Sequence, residues 1–488
     1  MQLFSRLIMH LTSAYKIKSY LSGDKGKTIA VVGVGILSRF LTLLTLPLYT
    51  RSLSPQEYGV IGLCASLALF ISLFSTLSLP SAAARFVIET ENKVYRQNLL
   101  GSVLTSVLIL GSIFCLSLIL FGPFLLPNKI VIYSGNIRLL LVALSGEIFL
   151  RAISTTFSSY NLALKKHSNV ALSEFTEQAV RHSILVSLTI FGALTPINYF
   201  IGGATGVACM ALVLALPNLT NIKICFNTKI MRKCFAFSIP LAIHSSAYIG
   251  IHYLDRILLA PIVSPVLLGK YHLAYSLVFA PFSVVILLAK AWTPLSNLGF
   301  LKNNPKIYRA MSAALADVGI LVAIITAVFL PIILSSFFKN NYQPPSGLIE
   351  ILIAAELLYL IYTSSVTPLT YFQYNSFLPL ITCFSLIINI ALIIILAPKY
   401  GLLGAATATL FAFMVLGSAT AICSHIKTGE SLSFKTCITL VFSCLLLISF
   451  IASDTIKFAI GIPFVIYMVF RLTFDIRLFF SESSNLHN

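Results

Sequence analysis

The chain has 488 residues, of which 58% are hydrophobic and 10% charged, and it carries a formal net charge of +18. A soluble globular protein would carry about 25% charged residues, so water-soluble enzyme, scaffold and receptor classes are excluded. The apolar residues fall in runs of about 18 to 25, where about 20 cross the hydrocarbon core as a helix, and they lack the apolar–polar alternation of barrel strands.

In chain order, residues 1–27 read as a cytoplasmic amphipathic segment. Leu3, Phe4, Leu7, Ile8 and Leu11 share one helical face, with Arg6, Lys16, Lys18, Lys25 and Lys27 around them, a pattern expected on a membrane surface. The first apolar run, Thr28 to Tyr49, is too long for a signal-peptide core, and no small-residue cleavage site follows it. Windows bounded by proline, glycine and charge clusters predict fourteen spans: 28–50, 59–80, 98–121, 137–162, 170–194, 197–218, 234–260, 267–298, 309–335, 347–372, 376–397, 402–423, 434–452 and 456–474. The fold class is all-α and polytopic. An N-lobe of six spans over 28–218 is followed by a linker over 219–233 and a C-lobe of six spans over 234–423. Two additional spans over 434–474 and a tail over 475–488 complete the chain.

With the N-terminus inside, the cytoplasmic segments collect 21 of the 33 lysines and arginines, while the short opposite loops hold Arg51, Lys129, Lys270, Lys339, Lys399 and Lys457. The positive-inside rule then places both termini in the cytoplasm. It also accounts for the basic balance without a nucleic-acid partner. Of the nine cysteines, Cys64, Cys115, Cys209, Cys383 and Cys444 sit inside apolar runs, with no CxxC or metal-type spacing. They read as small core residues, and no metal or disulfide framework is expected.

One interruption occurs twice. Leu46 to Tyr58 reads LPLYTRSLSPQEY and is followed by Gly59; Ala260 to Tyr271 reads APIVSPVLLGKY. Ser54, Pro55 and Gly59 recur as Ser264, Pro265 and Gly269, each 210 residues on. Proline suits a helix's first turn, the preceding serine can cap it, and glycine permits a close turn. Six spans separate the copies, so spans one and seven run in the same direction and both turns fall on the outer side. Two six-helix halves in parallel orientation form a transporter architecture with its site between them.

Ionisable residues near a bilayer centre cost about 3 kcal/mol each and mark pathways or pairs. Arg39 lies deep in span one, on a stripe with Gly35, Ser38, Thr42 and Thr45, and no acidic neighbour shares its span. Span seven carries Ser245, Tyr248, His252 and Asp255 at helical spacing, with Arg256 and His244 adjacent. These two polar faces, opposed, would line a wet cationic cleft. Glu147 with Arg151 and Glu177 with Arg181 are i,i+4 pairs that read equally as structural pairs or as cleft charges. Lys290 reads as a cleft cation or a snorkelling lysine. Asp317, Glu356 and Glu147 are candidate proton or sodium carboxylates; Glu350 is explained by its helix start. Arginine's planar fork suits phosphate oxygens, and tyrosines including Tyr160, Tyr248, Tyr275, Tyr359 and Tyr362 could meet sugars, with Tyr49 and Tyr271 expected at the membrane interface.

The run LSRFLTLLTLPLYTRSLSPQEYGVIG, the segment FSIPLAIHSSAYIGIHYLDRILLAPIVSPVLLGKYHLAYSL and the stretch LAPKYGLLGAATATL resemble, in that order, the polysaccharide-transporter branch of the MOP (multidrug, oligosaccharidyl-lipid, polysaccharide) exporter superfamily. Its Wzx-type members are O-antigen and capsule-unit flippases. The resemblance implies a non-enzymatic flippase that moves polyprenyl-diphosphate-linked oligosaccharide to the outer leaflet of the bacterial inner membrane. Two lobes would rock around a cationic cavity built from Arg39 and Asp255–Arg256, with weaker support for Arg151, Arg181 and Lys290. No cofactor beyond a coupling proton or sodium ion is implied. A polysaccharide polymerase and a chain-length regulator are the partners such a protein would have. The rival readings are a drug/cation antiporter of the same superfamily, which would favour an acidic cavity, and a membrane polysaccharide polymerase, which would carry a larger outer loop.

Overall fold

The computed structural model describes residues 24–430 except 222–224, with a few further positions between 432 and 444. The amphipathic segment before residue 24 and most of the two additional spans over 434–474 lie outside the described residues.

The described chain is helical throughout: α1 (Asp24–Ser52), α2 (Pro55–Thr76), α3 (Leu79–Val87), α4 (Lys93–Leu125), α5 (Asn128–Val131), α6 (Ile137–Ala163), α7 (His167–Ile190), α8 (Pro196–Ala215), α9 (Thr228–Leu259), α10 (Pro265–Leu301), α11 (Lys306–Phe337), α12 (Leu348–Tyr371) and α13 (Phe377–Thr428). Nine of them are long and apolar enough to cross a membrane. Helices α6 and α7 are as long but carry glutamates and arginines on their inner faces. Helix α13 is two spans, because Gly401 adopts a positive φ of 58° that breaks its 52 residues in two. Twelve of the fourteen expected spans are therefore described. The expected eighth span is one uninterrupted helix, and the short amphipathic α3, which packs on α6 and α9, was not anticipated.

Helices α1, α2, α4, α6, α7 and α8 form one bundle and α9 to α13 a second, with α2 lying more extensively against α10 and α9 than against its own bundle. Corresponding helices make corresponding contacts. In the first bundle α1 lies on α7, where the Tyr49 hydroxyl is 2.8 Å from His182 Nδ1. In the second, α9 lies on the first half of α13, where His244 Nδ1 is 3.0 Å from Thr382 Oγ1.

The duplicated turns meet each other. Ser54 caps α2 in a capping box with Glu57, and Ser264 accepts from the Leu267 amide at the start of α10. Helices α2 and α10 then cross at their glycines. A Cβ placed on Gly59 would stand 2.5 Å from the Pro265 carbonyl oxygen, and one placed on Gly269 would overlap the Pro55 carbonyl. Only hydrogen at both positions allows backbone to rest on backbone. Around this crossing the Lys129 ammonium donates to the carbonyls of Pro261 (2.9 Å) and Val263 (2.6 Å). Lys339 donates to the Arg51 carbonyl (2.7 Å), and the buried Tyr342 hydroxyl donates to the Leu53 carbonyl (3.0 Å). The two bundles are thus sealed together at the face that carries the Ser-Pro turns. At the opposite, basic face, Lys233 pairs with Glu89 at 2.7 Å and Phe86 meets Phe237, along the edge where the linker enters α9.

Candidate functional site

Helix α1 has two exposed faces of different chemistry. Leu37, Phe40, Leu44 and Leu48 are exposed along one stripe, and Arg39 and Thr42 are exposed elsewhere. At about 3.6 residues per turn, Arg39 and Thr42 lie nearly opposite that apolar stripe, with Ser38, Thr45 and Tyr49 buried between. The apolar stripe suits lipid. The polar one points at the second bundle, because Gly35, on the same side, sits against Leu287 of α10. The Arg39 charge acts on Glu174 of α7, Tyr253 of α9 and Lys290 of α10, groups drawn from both bundles. Among the described residues, neither Arg39 nor the exposed Lys290 has a carboxylate within ion-pair distance. Arg39 and Lys290 are therefore two exposed cations on helices from opposite bundles, within electrostatic reach of each other, with Arg39 about 20 Å from the Ser52 end of α1 at the helical rise.

Next to Lys290 the second bundle opens a cavity of about 300 Å³, at the low end for a ligand pocket. It is walled by His244, Ser245 and Tyr248 of α9, Lys290 and Thr293 of α10, and Tyr359 and Tyr362 of α12, and it continues past Thr367 to Thr370 near the basic end of α12. The cavity lining thus runs toward the basic face and away from the turn face, where the two bundles are in contact.

The expected stripe on α9 continues into a sealed core. Tyr248 lines the cavity, but His252, Asp255 and Arg256 do not: each is at most 1% exposed. Arg256 Nη1 pairs with Asp255 Oδ1 at 3.0 Å and donates to the His252 carbonyl at 2.8 Å. Its guanidinium lies 4.2 Å from the centroid of the Tyr275 ring, and the Tyr271 hydroxyl donates to Asp255 Oδ2 at 2.5 Å. The expectation that Asp255 and Arg256 line the cationic cavity is therefore corrected. The pair neutralises itself, and α10 supplies the tyrosines that make its burial affordable. Tyr271 and Tyr49, expected at the membrane interface, are both buried polar partners.

The paired charges of the first bundle cross between helices. Arg151 reaches Glu177 at 2.8 Å as well as Glu147 at 3.2 Å, and Arg181 bonds Glu147 at 3.1 Å rather than its i,i+4 neighbour. The four charges cancel. Glu147, Arg151 and Arg181 line a second cavity of about 220 Å³ with Ala65, Ala68 and Ser72 of α2, so the two arginines reach a cavity of the first bundle as members of a neutral cluster.

Of the candidate coupling carboxylates, Glu147 is held by these two arginines. Asp317 and Glu356 are buried in the second bundle. Glu356 accepts from the Tyr275 hydroxyl at 3.2 Å, Tyr275 lies 3.1 Å from His252 Nδ1, and the His252 ring stacks edge-on to Tyr248 and Tyr359 at the cavity floor. Sequence spacing missed Glu174 beside Arg39, and it named His244 and Tyr362 without joining them into one wall. A helical-wheel projection of α9 already placed His244 next to Ser245 and Tyr248, but nothing in the order of residues linked α12 to them.

A family model described as polysaccharide biosynthesis protein matches residues 25–297. A membrane protein of Methanocaldococcus jannaschii, described as uncharacterized, is 28% identical over 389 residues, which span 73% of this chain and 87% of that protein. Among solved structures, a multidrug resistance MATE family transporter of the MOP superfamily in its inward-facing conformation superposes with a TM-score of 0.68 at 12% identity, over 82% of this chain and 98% of that one. The lipid II flippase MurJ in its inward closed conformation superposes with a TM-score of 0.67 at 16% identity, over 92% and 99%. At such identities the likeness is one of fold: this is a multi-pass membrane protein built as those transporters are.

Proposed function

This chain belongs to the polysaccharide biosynthesis protein family, and from that premise we propose that it is a flippase for polyprenyl-diphosphate-linked oligosaccharide units of O-antigen, capsule or a related surface polymer. It works in the bacterial inner membrane with the basic face and both termini in the cytoplasm and the Ser-Pro turns outside. The observation that carries this reading is the pair Arg39 and Lys290. Like charges facing one gap repel unless an anion comes between them, and a diphosphate brings several acceptor oxygens at once. The cavity lining runs toward the basic face, from which such a unit would enter. Release outside requires the Gly59–Gly269 seam to part while the basic face closes, the alternating access of two repeats around a fixed site. The antiporter alternative asks for an anionic cleft, whereas the cavity beside Lys290 is lined by no carboxylate. The polymerase and the chain-length regulator remain the partners such a flippase would feed.

Deleting the gene in its host is expected to abolish the surface polymer and to accumulate a polyprenyl-diphosphate glycan on the cytoplasmic leaflet, reversed by the intact gene. Unaltered polymer with no accumulated lipid-linked unit would overturn the proposal.

We further propose that a proton couples through Glu356. No lysine or arginine lies within ion-pair distance of this buried carboxylate among the described residues, and its Oε2 has no hydrogen-bond partner there. The Tyr275–His252 chain connects it to the cavity floor. Glu356→Gln is expected to uncouple transport from an imposed proton gradient, measured as the ratio of uptake with and without the gradient in vesicles. An unchanged ratio would remove Glu356 from the coupling.

A further inference from the structure

The cavity beside Lys290 has a polarity that a diphosphate does not need. Its threonine hydroxyls spend their protons on their own helices: Thr293 donates to the Ala289 carbonyl (2.9 Å), Thr363 to Tyr359 (3.2 Å) and Thr370 to Thr367 (2.8 Å). Their oxygens are left as acceptors toward the cavity. Tyr359 donates to the Tyr248 hydroxyl at 2.9 Å, so the Tyr248 proton is free to be given to a ligand. The rings of Tyr248, Tyr359 and Tyr362 lie 5.6 to 6.5 Å apart, centroid to centroid, as one continuous aromatic wall. His244 stands 3.5 Å from the Tyr362 hydroxyl, and its other ring nitrogen is held by Thr382.

An all-anionic ligand would meet acceptors here that repel it. An organic cation would find no carboxylate among the lining residues. A ligand whose edge both donates and accepts and whose faces are C–H rich satisfies both the hydroxyls and the rings, and that describes a pyranose. We infer that this cavity is the subsite for the sugar joined directly to the phosphate, with Arg39 and Lys290 holding the diphosphate at its mouth. This rests on the lipid-diphosphate reading above and extends it. The pocket selects the first sugar, while the rest of the glycan extends through the open cleft toward the basic face.

The test uses the purified full-length protein in nanodiscs, with the single tryptophan, Trp292, as a fluorescence reporter one residue from Thr293. The probes are a short-chain prenyl diphosphate and the same lipid carrying one glucosyl, galactosyl or N-acetylglucosaminyl residue. At least one glycosylated probe is expected to bind about tenfold more tightly than the bare lipid, a typical gain for a satisfied polar contact set. Tyr362→Ala and Thr367→Val are expected to shrink that advantage below threefold, whereas Arg39→Ala weakens all four probes together. Equal affinity for the bare and all three glycosylated lipids, or a Tyr362→Ala effect equal on every probe, would overturn the sugar subsite. Binding of a glycosylated probe without any binding of the bare lipid would support the subsite and sink the phosphate assignment; binding of none would sink both.

Discussion

Arg39→Ala is expected to lower delivery of the lipid-linked unit by about a hundredfold or more while the protein accumulates in the membrane at least as well as the wild type. The two halves of that expectation have one cause. A hydrogen bond to a charged group contributes about 1.5–3 kcal/mol, so losing a bidentate grip on phosphate forfeits about 3 kcal/mol, near two decades in binding. The same guanidinium costs about 3 kcal/mol to place in the membrane, and among the described residues no carboxylate lies within ion-pair distance to offset that cost, Glu174 acting on it only from further away. Removing it therefore should not harm insertion. Arg39→Lys keeps the charge but loses the planar fork and is expected to restore transport only in part. The measurement is surface polymer per unit of membrane-inserted protein. Normal polymer with Arg39→Ala would take Arg39 out of the mechanism. The contrasting control is Arg256→Ala, which strands Asp255 in a buried core and is expected to reduce the amount of folded protein instead.

Gly269→Ala should break transport by a different route. Its Cβ would overlap the Pro55 carbonyl, a backbone atom that no rotamer change can move aside. The helices α2 and α10 must separate, and overpacking of this kind costs about 1–3 kcal/mol, enough to shift a two-state equilibrium by about five- to 150-fold. The seam would be propped open on the turn face. Leu53, 2% exposed and anchored through its carbonyl by Tyr342, is the reporter. In a background cleared of the nine native cysteines, Leu53→Cys is expected to react with an impermeant maleimide about tenfold faster when Gly269→Ala is present, with transport reduced to a similar degree. Gly59→Ala acts on the same seam with a longer 2.5 Å approach, so it should have the smaller effect. The double variant should fall short of the sum because both changes relieve one contact. Unchanged labelling and transport would show that the seam is not a gate.

How much of this was legible beforehand depended on whether a residue's meaning was local. Arg39 could be singled out because its own span offers no counter-charge and its depth follows from counting residues. Asp255 and Arg256 could not be sorted the same way. They continue the periodic stripe of Tyr248, and only the tyrosines arriving from α10 decide that this end of the stripe is sealed. Glu147, Arg151, Glu177 and Arg181 show a related failure. Helical spacing identified two pairs, and packing of α6 on α7 and α8 joined them into one cluster, in which Arg151 keeps Glu147 and adds Glu177 while Arg181 turns to Glu147. Tyr342 sits in a short polar loop that reads as solvent-facing, yet its hydroxyl ties the two bundles together.

Order, length and charge along the chain determined by themselves that the protein crosses the membrane many times, that its first and seventh spans run in parallel, and that a lone guanidinium sits at mid-depth. These are properties of one helix at a time, written in hydrophobic runs, loop charges and a 210-residue recurrence. Tertiary structure alone decided that the recurring turns rest on each other to shut one face, that Lys290 joins Arg39 across the gap, and that tyrosines and threonines of α9, α10 and α12 make a pocket beside them. The contact of the turns, the electrostatic reach of Arg39 to Lys290 and the tyrosine–threonine pocket each need two or three helices brought together, and in a chain so uniformly apolar the identity of a helix's neighbours is set by close packing, which leaves little trace in residue spacing.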